Sequence, residues 1–307
     1  MNARDFFADL LRRRAEGQTA GIYSVCSANP IVLEAAMDHA RAASGPLLIE
    51  ATSNQVNQYG GYTGMKPADF AAFVRRIAER SGFEMEKLIL GGDHLGPLVW
   101  KSMPEAEAMR RAEEQAAAFV EAGFTKIHLD TSMRLGGDAE EISDALIASR
   151  GARLCASAEK AYAALAAKTP AVPPPVYVIG SEVPTPGGAA GDADEAEALR
   201  PTSPEAFLAS YGAFMRAFEE AGLADAFSRV VAFVVQPGVE FNGDTIFDYN
   251  REAASELCAS LARVGRPLMF EGHSADYQLP ESLKYMVEDG IGILKVGPGL
   301  TFALREG

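Results

Sequence analysis

The chain has little cysteine, and what it has is scattered. Cys26, Cys155 and Cys258 form no CxxC pair, and an odd count does not build a disulfide framework. Three free thiols in a reducing, cytoplasmic setting are the expectation. Cys26 falls in the first predicted strand, where filling the core is the ordinary use of a thiol. Positive charge is short as well: 28 Lys and Arg stand against 42 Asp and Glu, a formal net charge of -14. No basic patch is available to neutralise a phosphate backbone or an anionic bilayer, which argues against nucleic acid and membrane as partners. A small phosphorylated substrate needs only a few local donors and stays open. No apolar run approaches membrane-spanning length. The first residues, Met1 to Phe7, lack the long apolar core of a signal peptide. Also missing are the Gly-x-Gly-x-x-Gly turn of a dinucleotide-binding fold, the G-x-x-x-x-G-K-[ST] phosphate loop and the protein-kinase motif set. A kinase is therefore the weakest reading.

What the chain has is apolar material in short, regular portions. Its 307 residues are 48% hydrophobic, enough for a sizeable core in a single domain over 1–307. Phe6, Phe7, Leu10 and Leu11 at helical spacing predict a helix that closes the bottom of a barrel. Eight short apolar runs follow, at 21–26, 46–52, 88–90, 126–130, 176–179, 230–235, 267–270 and 291–296. Helical segments separate them. Their starts are marked by Asn29-Pro30, Pro67, Pro104 and Ser203-Pro204, the N-cap and first-turn signals of helices. Continuous apolar strands alternating with helices predict a parallel sheet, and eight units predict its closure into a (β/α)8 TIM barrel. Residues 171–202 interrupt the rhythm with Pro, Gly, Ala and acids. The stretch 183–202 is expected to be a mobile loop over the active site. The last helix has barely begun at Gly307, so it is expected to be incomplete.

Three of the runs stop at residues that carry chemistry. They read Leu88-Ile89-Leu90-Gly91-Gly92-Asp93-His94, Val176-Tyr177-Val178-Ile179-Gly180-Ser181-Glu182 and Pro267-Leu268-Met269-Phe270-Glu271-Gly272-His273. A parallel barrel gathers the C-terminal ends of its strands on one face, so Asp93, His94, Glu182 and His273 are expected to converge there. Two histidines and a glutamate with an open fourth position make an accepted catalytic zinc set, so His94, Glu182 and His273 are the expected ligands of a divalent metal, Zn2+ or Mn2+. His39, mid-helix, reads as surface or packing, and His128, inside the fourth strand, as a satisfied structural residue. Glu50, Asp130, Gln236, Glu240, Glu271 and Asp276 also sit at strand ends, and some must orient the ligands.

Longer motifs carry a resemblance. They are Ile49-Glu50-Ala51-Thr52-Ser53-Asn54-Gln55-Val56-Asn57-Gln58 with Gly60-Gly61-Tyr62-Thr63-Gly64, then Gly91-Gly92-Asp93-His94-Leu95-Gly96-Pro97, Gly180-Ser181-Glu182-Val183-Pro184, Val235-Gln236-Pro237-Gly238-Val239-Glu240-Phe241 and His273-Ser274-Ala275-Asp276-Tyr277-Gln278. Together they resemble the Z-subunit family of tagatose-bisphosphate aldolase, over nearly the whole chain. The resemblance implies a class II aldolase-like barrel. It also implies either a non-catalytic subunit that stabilises a D-tagatose-1,6-bisphosphate aldolase, or a ketose-phosphate epimerase. Members generally run past the position that matches Gly307, so any C-terminal interface is expected to be cut short.

In class II aldolases an Asp-His pair closes the third strand, the histidine binding zinc and the aspartate handling protons. The resemblance thus implies Asp93 as an acid-base residue beside His94; Glu271, at its own strand end, is expected as a second catalytic carboxylate. The same enzymes hold the ketose phosphate with loops after strands seven and eight, where Ser274, Lys295, Gly297 and Gly299 stand here. Asn54, Gln55 and Asn57 after the second strand, with Gln236, suit sugar hydroxyls. Tagatose 6-phosphate and fructose 6-phosphate differ only at C4. The C4 proton of a 2-ketose is not acidic, so inverting C4 needs retro-aldol cleavage of C3–C4 and re-addition. A D-tagatose 6-phosphate 4-epimerase is the function expected, with the non-catalytic aldolase subunit as the alternative. A homo-oligomer or an aldolase catalytic subunit is the protein partner expected.

Overall fold

The structure, a computed structural model, describes residues 2–180 and 199–307. Its strands are β1 (Ile22–Cys26), β2 (Leu47–Thr52), β3 (Leu88–Leu95), β4 (Lys126–Leu129), β5 (Val176–Gly180), β6 (Val230–Val234), β7 (Met269–Gly272) and β8 (Ile291–Val296). They pair in sequence order, all parallel, and β8 returns to β1 to close the barrel. The strands are nearly all buried, which is why they read as continuous apolar runs rather than alternating ones. A two-residue antiparallel pair, Glu240–Phe241 with Ile246–Phe247, folds back after β6.

The flanking helices are α1 (Ala3–Ala15), α2 (Pro30–Ala42), α3 (Pro67–Ser81), α4 (Glu105–Glu121), α5 (Asp144–Lys168), α6 (Pro204–Glu220), α7 (Ala224–Ser228), α8 (Arg251–Ser260), α9 (Pro280–Asp289) and α10 (Pro298–Glu306). Their starts obey the expected chemistry. The Asn29 carboxamide accepts the N–H groups of Ile31 and Val32, and Ser203 accepts that of Ala206, each satisfying donors that a first helical turn leaves orphaned. α5 starts at Asp144 with Ser143 as its cap, and the preceding stretch is a loop. The Asp138 carboxylate is engaged by the Leu135 N–H and the Arg150 guanidinium, which pins this stretch as a loop against α5.

Two layers fill the barrel. At the N-terminal end, Phe7 and Leu10 of α1 pack on Ile22, Leu48, Ile89, Val176, Val231, Met269 and Ile293, so α1 plugs the bottom. Burying two such side chains stabilises by about 4 kcal/mol, since each contributes roughly 1.5–3. Above that layer the interior turns polar: Ser24, Glu50, Lys126, His128 and Glu271 are completely buried. The mouth over this polar layer is the C-terminal end of the strands. Of the predicted mobile loop, 183–198 lie outside the described residues. Thr202 is anchored, exchanging hydrogen bonds with the Gln236 backbone at 2.8 and 3.0 Å. No described helix is long and apolar enough to cross a membrane.

Candidate active site

β3 runs to Leu95, well past the expected end at Leu90, and its last residues build the centre of the site. Gly91 is required there, because a Cβ at that position would collide with the Glu50 carboxylate of the neighbouring strand. The pairing with β4 slips between Gly92 and Leu95, and His94 takes a positive φ of 47°. A non-glycine residue in that region is strained, and such residues concentrate at functional sites. The slip leaves Asp93 buried in the barrel mouth, with His94 only partly covered beside it.

Each histidine is held by a second group. His94 Nδ1 lies 2.7 Å from Asp130 Oδ2, and Asp130 also accepts from the backbone and hydroxyl of Ser132. Burial would raise the Asp130 carboxyl, but His94 and the Ser132 hydrogen bonds hold it well below the usual carboxylate range. A proton on Nδ1 facing an ionised carboxylate leaves the His94 lone pair on Nε2, the arrangement found behind metal-bound histidines. His273 Nε2 sits 3.1 Å from Glu271 Oε1. Burial, with the neighbouring His94, pushes His273 down to about 3, and burial lowers His128 too. Neutral imidazole is the form that binds metal.

These groups converge. Ring centroids of His94 and His273 are 4.7 Å apart, those of His94 and His128 4.9 Å, and those of His128 and His273 5.6 Å. One donor atom from each of Asp93, His94, His128 and His273 lies within 4.8 Å of all the others. Imidazole and carboxylate donors at that spacing fit a divalent ion of the zinc class. His128, read from sequence as structural, thus reaches the site. Both of its nitrogens are engaged by the chain, Nε2 with the Gly180 carbonyl at 3.0 Å and Nδ1 with the His94 N–H at 3.2 Å. The expected ligand Glu182 lies outside the described residues.

Below the histidines is a buried lattice of charge. Lys126 bridges Glu50 and Glu271, 2.6 Å from each. Lys295 contacts Asp93 directly, with Glu271 at 3.1 Å and Glu50 at 3.7 Å. Burial alone would lower Lys126, but the two glutamates outweigh it and hold the ammonium above the usual range. Likewise burial would raise Glu271, and Lys126 with the His273 hydrogen bond holds it below. Desolvated charges survive only when paired this closely. Cys26 lies 3.7 Å from Asp93, its thiol pushed up to about 12 by burial, so it is no nucleophile.

The other expected site residues divide. Glu271 is fully buried between two lysines and His273, the surroundings of a positioning carboxylate rather than a proton carrier. Lys295 spends its charge on Asp93 and the glutamates. Gln55 lines a cavity of about 450 Å³ with Cys26, Ser27, Asn29, Thr63 and Thr301, while its side-chain oxygen accepts the Thr52 N–H at 2.9 Å. Asn54 is exposed beside it. The Gln236 side-chain oxygen accepts the N–H groups of Gly238 and Val239, and its amide nitrogen has no partner among the described residues. Ser274 takes a positive φ of 53° and is buried, its hydroxyl likewise without a partner there. The N–H groups of Gly297 and Gly299 both donate to Asp276. Sequence reasoning missed Lys126. The signal was its alternation with His128, since a strand's period of two puts both on one face.

A closed parallel barrel with histidines and carboxylates gathered at its C-terminal mouth defines a (β/α)8 protein with a candidate site at the strand ends. Solved structures share this fold: the fructose-bisphosphate aldolase of Campylobacter jejuni, 15% identical, has a TM-score of 0.60 over all of this chain and 78% of that one. The chain belongs to the D-tagatose-1,6-bisphosphate aldolase subunit GatZ/KbaZ-like family, whose model matches residues 7–307. A relative from Agrobacterium fabrum, described as a D-tagatose 6-phosphate 4-epimerase, is 50% identical over 97% of this chain and 68% of its own length. A crystal structure from Sinorhizobium meliloti, described as a probable tagatose 6 phosphate kinase, is 51% identical, with a TM-score of 0.82 over 93% of this chain and 67% of that one.

Proposed function

We propose that this protein is a metal-dependent D-tagatose 6-phosphate 4-epimerase that works by retro-aldol cleavage and re-addition. The observation that carries the reading is the meeting of Asp93, His94 and His273 at the barrel mouth, each backed by an ionic partner. The half-identical relative described as such an epimerase supports the choice of substrate. His94 and His273 would hold the metal, Zn2+ or Mn2+, with Asp93 beside it. When bound, the ion would polarise the ketose carbonyl and stabilise the negative charge that cleavage leaves there.

The chain's own groups do the rest. Asp93 takes the proton of the C4 hydroxyl as the C3–C4 bond breaks, its electron pair passing to C3 and on to the carbonyl oxygen. The C4 hydroxyl becomes the carbonyl of a three-carbon aldehyde, which turns over within the mouth. Re-addition from the opposite face inverts C4, and Asp93 returns the proton. Lys295, in contact with Asp93, fixes where its oxygens lie. No oxidant or second substrate is needed, and the chain carries no phosphate-loop or protein-kinase motif that would serve a kinase.

A second reading follows from the family description, which names an aldolase subunit. In it the barrel supports a separate catalytic aldolase chain. The deciding experiment supplies the purified chain alone with D-tagatose 6-phosphate and Zn2+ or Mn2+, and detects fructose 6-phosphate with a coupled assay. Chelator-sensitive conversion is expected. A metal-loaded chain that converts nothing until an aldolase partner is added would establish the subunit reading instead.

A further inference from the structure

We propose that Asp276 seals the N-terminus of α10 against phosphate, so that the site takes a ketose bearing a single phosphate and rejects a second one at this end. The inference rests on the ketose-phosphate reading above and sharpens it. In (β/α)8 enzymes the loop after the last strand and the helix start behind it offer backbone N–H groups to phosphate. Here every such group is spent. Oδ1 of Asp276 accepts the Gly297 N–H at 2.9 Å and the Gly299 N–H at 2.7 Å. Pro298 has no N–H to offer. The N–H groups of Leu300 and Thr301 donate to the Gly297 carbonyl at 3.1 and 3.4 Å.

The seat is shaped for a carboxylate. Asp276 is 5% exposed, and a Cβ on Gly299 would stand 2.9 Å from that same oxygen, so glycine is what lets the carboxylate so close. A phosphate arriving there would meet an anion already in place, with a further carboxylate, Glu240, near enough to act on Asp276 electrostatically. The glycines that look like a phosphate cradle in the sequence therefore hold a carboxylate of the chain itself. A 6-phosphate must be received elsewhere along the mouth, and a 1,6-bisphosphate lacks its second seat.

The test compares the dissociation constants of D-fructose 6-phosphate and D-fructose 1,6-bisphosphate for the metal-loaded wild type and for Asp276→Ser, by calorimetry. The wild type is expected to prefer the monophosphate by at least about tenfold, and Asp276→Ser to shrink or reverse that preference by a similar factor. A wild type that binds the bisphosphate as tightly as the monophosphate overturns the proposal. So does an unchanged ratio in the variant. Asp276→Asn keeps the acceptor and removes the charge; if the serine variant does not fold, this one must move the ratio in the same direction. If the wild type binds neither sugar, the ketose-phosphate reading fails on its own account. Inorganic phosphate then decides: tighter binding by Asp276→Ser than by wild type supports the seal, and equal binding refutes it.

Discussion

Nδ1 of His94 lies 2.7 Å from Oδ2 of Asp130, two residues brought together from adjacent strand ends of the barrel. The pair sets which nitrogen of His94 carries its lone pair and holds the ring toward His273. Asp130→Asn keeps the size of the partner and removes its charge. Metal affinity is expected to fall by about 10- to 100-fold, the usual consequence of losing a carboxylate behind a ligating imidazole. Zinc titration against a competing chelator measures this. An unchanged affinity would show that His94 is not a ligand.

His94→Ala and His273→Ala are expected to remove bound metal and epimerase turnover together, because each deletes one of the two imidazoles proposed to hold the ion. His128→Asn is expected to retain more metal than either, since the His128 nitrogens are already engaged with Gly180 and with the His94 backbone. Metal content by mass spectrometry, read beside turnover of D-tagatose 6-phosphate, separates the three. Full turnover in both alanine variants would end the metal hypothesis.

The barrel could be read from sequence because its strands are buried on both faces, and burial on both faces writes itself as uninterrupted apolar runs. The stop before His273 was legible for the same reason. What was illegible depends on partners distant in the chain. Gly91-Gly92-Asp93-His94 does not look like a strand, yet β3 continues through it, with Gly91 making room for Glu50. Lys126 looks like a surface charge at a strand start, and only Glu50 and Glu271 from other strands explain its burial. Gly297 and Gly299 have the composition of a phosphate cradle. The carboxylate that fills it, Asp276, comes from the preceding strand's loop.

Asp138 and Arg150 offer a test of stability away from the mouth. The Arg150 guanidinium is almost wholly buried and grips both oxygens of Asp138, at 2.6 and 2.8 Å. The arginine's hydrogen bonds hold the Asp138 carboxyl below its usual range in the folded state. A depressed folded value means that the unfolded chain binds the proton more readily. The contribution is therefore complete above the unfolded value, near pH ~4, and is lost as pH falls through the lower folded value. Asp138→Asn leaves Glu105, 3.5 Å from Arg150 Nε, as the guanidinium's remaining carboxylate and is expected to cost about 1.5–3 kcal/mol at pH 7, the range for a hydrogen bond to a charged group. Urea unfolding of both proteins at pH 7 and near pH ~3 should show the gap narrowing in acid. A gap that widens in acid would reverse the assigned sign.

The lattice around Lys126 makes the sharpest prediction about the barrel interior. Its ammonium is the shared counter-charge of Glu50 and Glu271, all three completely buried. Lys126→Met fills a similar volume but leaves Lys295 alone to balance Glu50, Asp93 and Glu271. Removing one partner from a buried pair costs about 3–5 kcal/mol, because the remaining charge is desolvated without compensation. Adding Glu50→Gln to Lys126→Met removes one of the stranded charges. The double variant should then be more stable than Lys126→Met alone, with a coupling of at least about 1 kcal/mol in the double-mutant cycle. Denaturant midpoints of the wild type, the two single variants and the double variant supply the cycle. Strict additivity would mean that Lys126 and Glu50 do not hold one another, and that the polar layer is stabilised by packing rather than by its charges.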